Sequence, residues 1–253
     1  MLSNVDFYFF SPSGGTRKTG EILAGAIADQ VRFLDLGKKE DLKAKPEAEV
    51  IVAALPVFGG RIPAVAGKKL QQLQGQGKKA VTLAVYGTRA YEDALLELND
   101  LLEDCGFEIL ASGAFVAQHS MNPEIGAGRP DEKDAGEIRD FGKKILAKLE
   151  ENQGQKVRVP GNHPYKPEFS LPVTPVSLAA CNLCQTCAQV CPTEAIRMEK
   201  GEVVTDTEAC CLCMACVYHC PEKVRILPPP MQEQMKNMLG ALKGVRRENQ
   251  VFL

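Results

Sequence analysis

Nine of the ten cysteines fall between residues 181 and 220, and Cys105 stands alone. Two stretches hold them, CNLCQTCAQVCP at 181–192 and CCLCMACVYHCP at 210–221. A shift of 29 residues, from 181 to 210, superposes Cys181 on Cys210, Cys184 on Cys213, Cys187 on Cys216, Cys191 on Cys220 and Pro192 on Pro221. Cys211 then falls on Asn182, which makes it the spare thiol of the second stretch. The N-terminus MLSNVDFYFF lacks a basic lead, and Asp6 interrupts its apolar run, so it does not read as an export signal. In a reducing compartment such a cluster binds metal more often than it forms disulfides. Zinc is the rival, but tetrahedral zinc favours two separated pairs of ligands, which three closely spaced cysteines plus a fourth fit poorly.

The spacing C-x2-C-x2-C-x3-C-P, present twice, closely resembles that of the bacterial two-cluster ferredoxins. In that family three thiolates take three corners of a 4Fe–4S cube, and the fourth cysteine of each run crosses to the other cluster. The resemblance implies one cluster on Cys181, Cys184, Cys187 and Cys220, and a second on Cys210, Cys213, Cys216 and Cys191. Small and apolar residues between the ligands (Ala188, Val190, Ala215, Val217) would exclude water and leave backbone N–H groups facing sulfur.

The elements that would carry a second chemistry lie upstream. Residues 1–150 alternate runs rich in Val, Ile, Phe and Leu (5–10, 31–36, 49–56, 79–87, 107–116) with segments of helical periodicity (17–29, 91–105, 131–150). Five such βα units predict an α/β domain, a parallel sheet doubly wound by helices on both faces. The stretch FFSPSGGTRKTG follows the first strand and opens the first helix. Gly14 and Gly15 let backbone N–H groups approach an anion, the helix start adds positive dipole, and Ser11, Ser13 and Thr16 offer hydroxyl donors. It is neither a Walker loop nor a G-x-G-x-x-G turn.

This loop resembles the phosphate loop of flavodoxins, with the strand order 2-1-3-4-5 taken from that analogy. The resemblance implies FMN, its ring flanked by the loops after the third and fourth strands. Those loops supply Pro56, Val57, Phe58, Gly59 and Gly60, then Tyr86, Gly87, Thr88, Arg89 and Tyr91. Phe58 and Tyr91 are the rings available for stacking. Arg61 and Arg89 would offset charge or simply lie on the surface, and His119 would cap or line the loop after the fifth strand rather than transfer protons. The chain has no tryptophan and its first 150 residues are less acidic than flavodoxins usually are, so partner docking is expected to differ.

The expected organisation is a flavodoxin-like domain over 1–151, a Pro-rich extended linker over 152–175, a small α+β ferredoxin-like domain over 176–228, and an amphipathic helix with a tail over 229–253. That helix would bury Met231, Met235, Met238, Leu239 and Leu242. The net charge of −2 offers no basic stripe for nucleic acid, and no apolar run is long enough to span a membrane, so a cytoplasmic protein is expected. The combination resembles flavodoxin–ferredoxin fusion carriers found largely in anaerobes, and implies an electron-transfer protein serving redox partner proteins. No nucleophile constellation or paired carboxylates point to catalysis. Two other readings stay open: a flavin-dependent reductase fed by its own clusters, and a ferredoxin carrying a flavin-free interaction domain.

Overall fold

The computed structural model describes residues 1–40, 42–151 and 155–253. The N-terminal unit runs β1 (Leu2–Phe9), α1 (Gly15–Ile27), β2 (Ala28–Asp35), β3 (Val50–Pro56), α2 (Ala64–Leu70), β4 (Lys79–Tyr86), α3 (Ala94–Asp104), β5 (Glu108–Val116) and α4 (Glu132–Glu151). The short helix α2 was not foreseen in the sequence. β1 pairs in parallel with both β2 and β3, β3 with β4, and β4 with β5, which is the flavodoxin-like order. The central strands β3 and β4 are almost continuously apolar because both sheet faces are covered there, whereas the edge strand β2 is half-buried or exposed beyond its first residue. One face packs Phe7, Val52 and Leu83 against Leu23 of α1 and Ile138 and Phe141 of α4. The other packs Tyr8, Ile51 and Phe107 against Leu70 of α2 and Leu98 of α3.

Asp6, buried in β1, ties this sheet together. Its carboxylate accepts a fork from Arg32 (2.8 and 2.6 Å) and the backbone N–H groups of Glu47 (2.7 Å) and Ala48 (3.1 Å). A buried carboxylate is tolerable only when its lone pairs are satisfied in this way.

The cysteine-rich unit holds β6 (Val176–Ser177), α5 (Thr186–Gln189), β7 (Ile196–Glu199), β8 (Glu202–Thr205), α6 (Ala215–Tyr218) and β9 (Arg225–Ile226), with β6 antiparallel to β9 and β7 to β8. After it come α7 (Pro229–Leu239) and β10 (Gln250–Phe252). The helix α7 buries Met235 and Leu239 as its pattern requires, but Met238 faces outward at 57% exposure.

Two expectations need correction. The sheet has six strands, in the order β10-β5-β4-β3-β1-β2, because the C-terminal tail returns and adds β10 antiparallel to β5. An open strand edge carries unpaired N–H and C=O groups, and the tail satisfies them. Asn249 anchors this return, its side-chain oxygen accepting from Val116 N (2.9 Å) and its amide donating to Asp134 (3.0 Å). The cysteine-rich unit is therefore held to the N-terminal unit from both of its ends.

The second correction concerns the connecting segment. The boundary expected at 151–152 meets residues 152–154, which lie outside the described residues. From 155 to 175 the chain is extended, as its prolines dictate, yet it is tied down. Asp93 accepts from the N–H of Asn162 (2.9 Å) and of Lys166 (2.8 Å), Arg61 donates to Lys166 O (2.6 Å), and Tyr165 donates to Asp100. Among the described residues no helix is long and apolar enough to cross a membrane.

Candidate redox-cofactor sites

Each half of the cysteine repeat builds one wall of two cavities. One small cavity is lined by Cys181, Cys184 and Cys187 together with Cys220 from the other half. A second is lined by Cys210, Cys213 and Cys216 together with Cys191. Two cysteines of each run come from the loop and the third from the short helix that follows it, α5 or α6, and the fourth ligand of each cavity arrives from just beyond the opposite short helix. All ten cysteines carry free thiols. Among the described residues no three His, Cys, Asp or Glu side chains converge as ligands of a single ion would. Each cavity presents four thiols, the donor set that a 4Fe–4S cluster takes.

The backbone repeats with the sequence. Leu183 and Leu212 take φ of 58° and 50°, Gln185 and Met214 take 64° and 68°, and Glu194 and Lys223 both take 56°. These left-handed positions turn the loop so that successive cysteines face one centre. Asn182 accepts the N–H of Cys184 (3.1 Å), forming an Asx turn over the loop. Cys211 stands in the matching place and lines the second cavity. Hydrogen bonding from Cys213 draws the Cys211 thiol down to about 7, and the same contact pushes Cys213 up.

At the carboxyl end of β1, Gly14 sits at φ 90° and α1 begins at Gly15. Ser11 O accepts Gly14 N (3.2 Å) and Ser11 Oγ accepts Arg17 N (2.9 Å), leaving the hydroxyl proton of Ser11 free to donate. The N–H groups of Ser13, Gly15 and Thr16 have no partner among the described residues, and no acidic side chain occupies the first turn. Unpaired N–H groups at a helix start form an anion site by geometry and dipole together. Ser13 is half-buried, Thr16 buried and Gly14 exposed.

The flanking loops follow expectation unevenly. Phe58 N donates to Arg61 O (2.9 Å) and Arg61 N to Phe58 O (3.1 Å), closing a two-residue turn over Gly59 (φ 59°) and Gly60 (φ 93°). Only glycine takes both angles without strain. Phe58 is half-buried and meets Phe10 edge-on at 6.3 Å. A Cβ on Gly59 would lie 2.1 Å from Cβ of Phe169, so the connecting segment runs directly over this turn. Pro56 and Val57 are half-buried at the end of β3.

Tyr91 does not stand open as a stacking ring. It is 9% exposed, packs against Tyr86 at 5.4 Å and donates its hydroxyl to Gln250 (2.5 Å) in β10. The returning tail, invisible to a local reading, accounts for that burial. Arg61 is likewise engaged: it forks onto Glu97 at 2.7 Å and lies 4.8 Å over the Tyr165 ring. Arg89 is exposed and pairs with Glu92 (2.9 Å). Thr88 is buried at φ 66° and its hydroxyl lacks a hydrogen-bond partner.

His119 lies so close over Gly87 that a Cβ there would come within 2.5 Å. Its Nδ1 accepts from Met121 N (3.2 Å) and Asn122 N (3.3 Å), which fixes the tautomer and fits a loop-capping role. Burial, with Arg89 nearby, pushes its pKa down to about 4.

The two kinds of site are packed together. Cys213 and Ala215, from the loop lining the second cavity, belong to the same apolar cluster as Phe10, Leu36 and Ile62, with Val57 and Phe58 at its edge. Leu212 and Met214 pack with Met121, from the His119 loop, and with Leu171 and Val173 of the connecting segment. No local pattern of residues marks this contact, because both faces read as ordinary apolar loop residues.

Comparison with known proteins bears on the cysteine unit. Residues 176–221 match a family model described as a 4Fe-4S dicluster domain. Comparison with curated proteins finds no match. Among solved structures, the chain is similar to a flavodoxin of Streptococcus pneumoniae, with 20% identity over 58% of this chain and 99% of that one and a TM-score of 0.46. It is also similar to flavodoxin 1 of Bacillus cereus, with 17% identity over 57% of this chain and 98% of that one and a TM-score of 0.46. The apo form of an NADH:FMN oxidoreductase matches at 17% identity over 59% of this chain and 90% of that one, with a TM-score of 0.46.

Proposed function

We propose that this protein transfers single electrons between two 4Fe–4S clusters in its cysteine-rich unit and FMN on its N-terminal unit, and exchanges them with separate redox proteins. The observation that carries the reading is the pair of cavities, each lined by three cysteines of one half and the fourth of the other. Cys181, Cys184, Cys187 and Cys220 would hold one cluster, and Cys210, Cys213, Cys216 and Cys191 the other. Such clusters supply one-electron chemistry, and a flavin supplies a store that takes one or two electrons.

The phosphate of FMN suits the free N–H groups of Ser13, Gly15 and Thr16 with the Ser11 and Thr16 hydroxyls. A dinucleotide would want the Rossmann glycine spacing, which this loop lacks. Val57, Phe58, Gly59 and Gly60 on one side, and Gly87, Thr88 and Arg89 on the other, would flank the ring. The apolar contact between Leu212–Ala215 and these loops supports electron exchange inside one chain, because it excludes water between the two units.

Anaerobically reconstituted protein should carry about eight iron and eight acid-labile sulfide. Denaturation should release FMN. Saturation at half that iron would remove one cluster from the reading, and a preparation with full iron that takes up no flavin would remove the flavin. Thr16→Asp, which sets a carboxylate against the phosphate, should abolish flavin uptake and leave iron unchanged.

A further inference from the structure

The two halves of the repeat part company at one buried position. Five residues beyond its last cysteine, the first half has Ile196 (after Cys191) and the second has Arg225 (after Cys220). The 29-residue register superposes them. Because the fourth ligand crosses, Ile196 lines the second cavity and Arg225 lines the first. Ile196 is 7% exposed and Arg225 only 2%.

Arg225 is held where a cation is costly. Nη1 donates to Ser177 Oγ at 3.1 Å and Nη2 donates to Thr205 Oγ1, both neutral hydroxyls. Its Nε is buried and has no partner. An uncompensated buried guanidinium is destabilising by several kcal/mol, so such a group normally meets an anion. Thiols of both sets lie beside it, and the Glu222 carboxylate lines the same cavity. Burial pushes the thiols of Cys187 and Cys216 up; Arg225 pulls Cys216 of the second set back by a hydrogen bond and its charge, and Cys187 of the first set by its charge.

We propose that Arg225 is the buried counter-cation of the cysteine-rich unit: its unpartnered Nε–H donates to sulfur of the iron–sulfur group held by Cys181, Cys184, Cys187 and Cys220, whose cavity it lines, while its charge reaches both sets. This rests on the assignment of the two cysteine sets under Proposed function. Four thiolates outweigh the positive charge of an iron–sulfur core, and an added electron makes the site more negative still. A buried cation with a hydrogen bond to sulfur favours the reduced state. Arg225 therefore eases reduction of the first centre and, through Cys216, of the second.

The test is an EPR-monitored redox titration of the full-length, iron-loaded protein, with signals assigned from Cys220→Ser and Cys191→Ser. Arg225→Ile copies the second half of the molecule into the first, and Arg225→Lys keeps the charge. In Arg225→Ile both centres should become harder to reduce, the first by about tenfold in its equilibrium constant, ~59 mV for one electron. Arg225→Lys should keep its midpoint near that of the parent. The Ile effect should survive high salt, since a buried charge is poorly screened.

An unchanged first midpoint in fully loaded Arg225→Ile overturns the assignment. So does a Lys variant shifted as far as the Ile variant, which would make shape rather than charge the cause. If Arg225→Ile loses the first centre outright, Arg225→Lys decides: full loading with a parental midpoint supports the counter-cation, and loss of the same centre overturns it. A parent protein that takes up no iron and sulfide instead overturns the cysteine assignment itself.

Discussion

In the first half of the cysteine repeat Cys184 is exposed and Leu183 stands in solvent; in the second half their counterparts, Cys213 and Leu212, are buried. The backbone angles of the two loops agree within about ten degrees at Leu183 and Leu212 and at Gln185 and Met214. Cysteine spacing thus governs the local turn and the cavity it encloses, and the neighbours of the loop govern what that cavity faces. The first cavity faces outward. The second lies under Phe58, Met121 and the connecting segment. A centre intended for outside partners and one intended for an internal acceptor would need that difference and little else.

The largest effect should come from breaking the crossover that links the halves. Cys220→Ser lies in the second run but should remove the centre of the first, and Cys191→Ser should do the reverse. Each variant should lose about half its iron and retain one EPR signal, as the lining of the two cavities by opposite-half cysteines requires. If each serine variant instead loses the signal that the three cysteines of its own run produce, the halves are independent and the crossover is wrong.

A smaller effect separates surroundings from backbone. Met214 and Gln185 occupy the same register position with almost the same left-handed φ, so any strain from placing alanine there is common to both. Met214 packs with Leu212, Leu227 and Met121, whereas Gln185 is exposed. Met214→Ala should destabilise the folded protein by about 2–5 kcal/mol, the range for truncating a buried methionine. Gln185→Ala should stay within ~0.5 kcal/mol. Paired denaturant titrations of loaded protein check this. Equal losses would mean that the docking of the second loop on the N-terminal unit contributes nothing to stability.

What the residues revealed in advance follows the range of the interactions involved. The twofold cysteine register, the glycine turn that opens α1 and the five parallel strands rest on spacing within a few residues, and each could be read directly from the sequence. The burial of Tyr91 could not be read, because it depends on Gln250, 159 residues away. Nor could β10, since Gln250–Phe252 is too short to announce a strand and forms one only by covering the edge of β5. The tying-down of the segment 155–175 was hidden for the same reason: its prolines specify an extended backbone, while Asp93 and Arg61 decide what it lies against. Arg225 carried no mark in the sequence, and only the fold places it beside thiols of both sets.

The smallest expected effect lies at the one cysteine the repeat does not need. Cys211 shares its register position with Asn182, whose side chain caps the first loop through Cys184 N. Cys211→Asn therefore writes the first half's residue into the second, and should leave iron content, both EPR signals and stability unchanged. Cys210→Ser is the sharper companion, because it removes a residue of the second ligand set and leaves an adjacent thiol. For Cys211 to replace it, the spacing would shrink from C-x2-C to C-x-C, against a loop whose Leu212 and Met214 are already fixed at positive φ by packing. A rescued second centre should consequently lose iron faster than the parent on incubation with a chelator, and the combined Cys210→Ser, Cys211→Asn variant should hold no second centre at all. Loss of the second EPR signal in Cys211→Asn alone, with Cys210→Ser intact, would exchange the roles of the two neighbours and undo the 29-residue register on which the comparison of the halves depends.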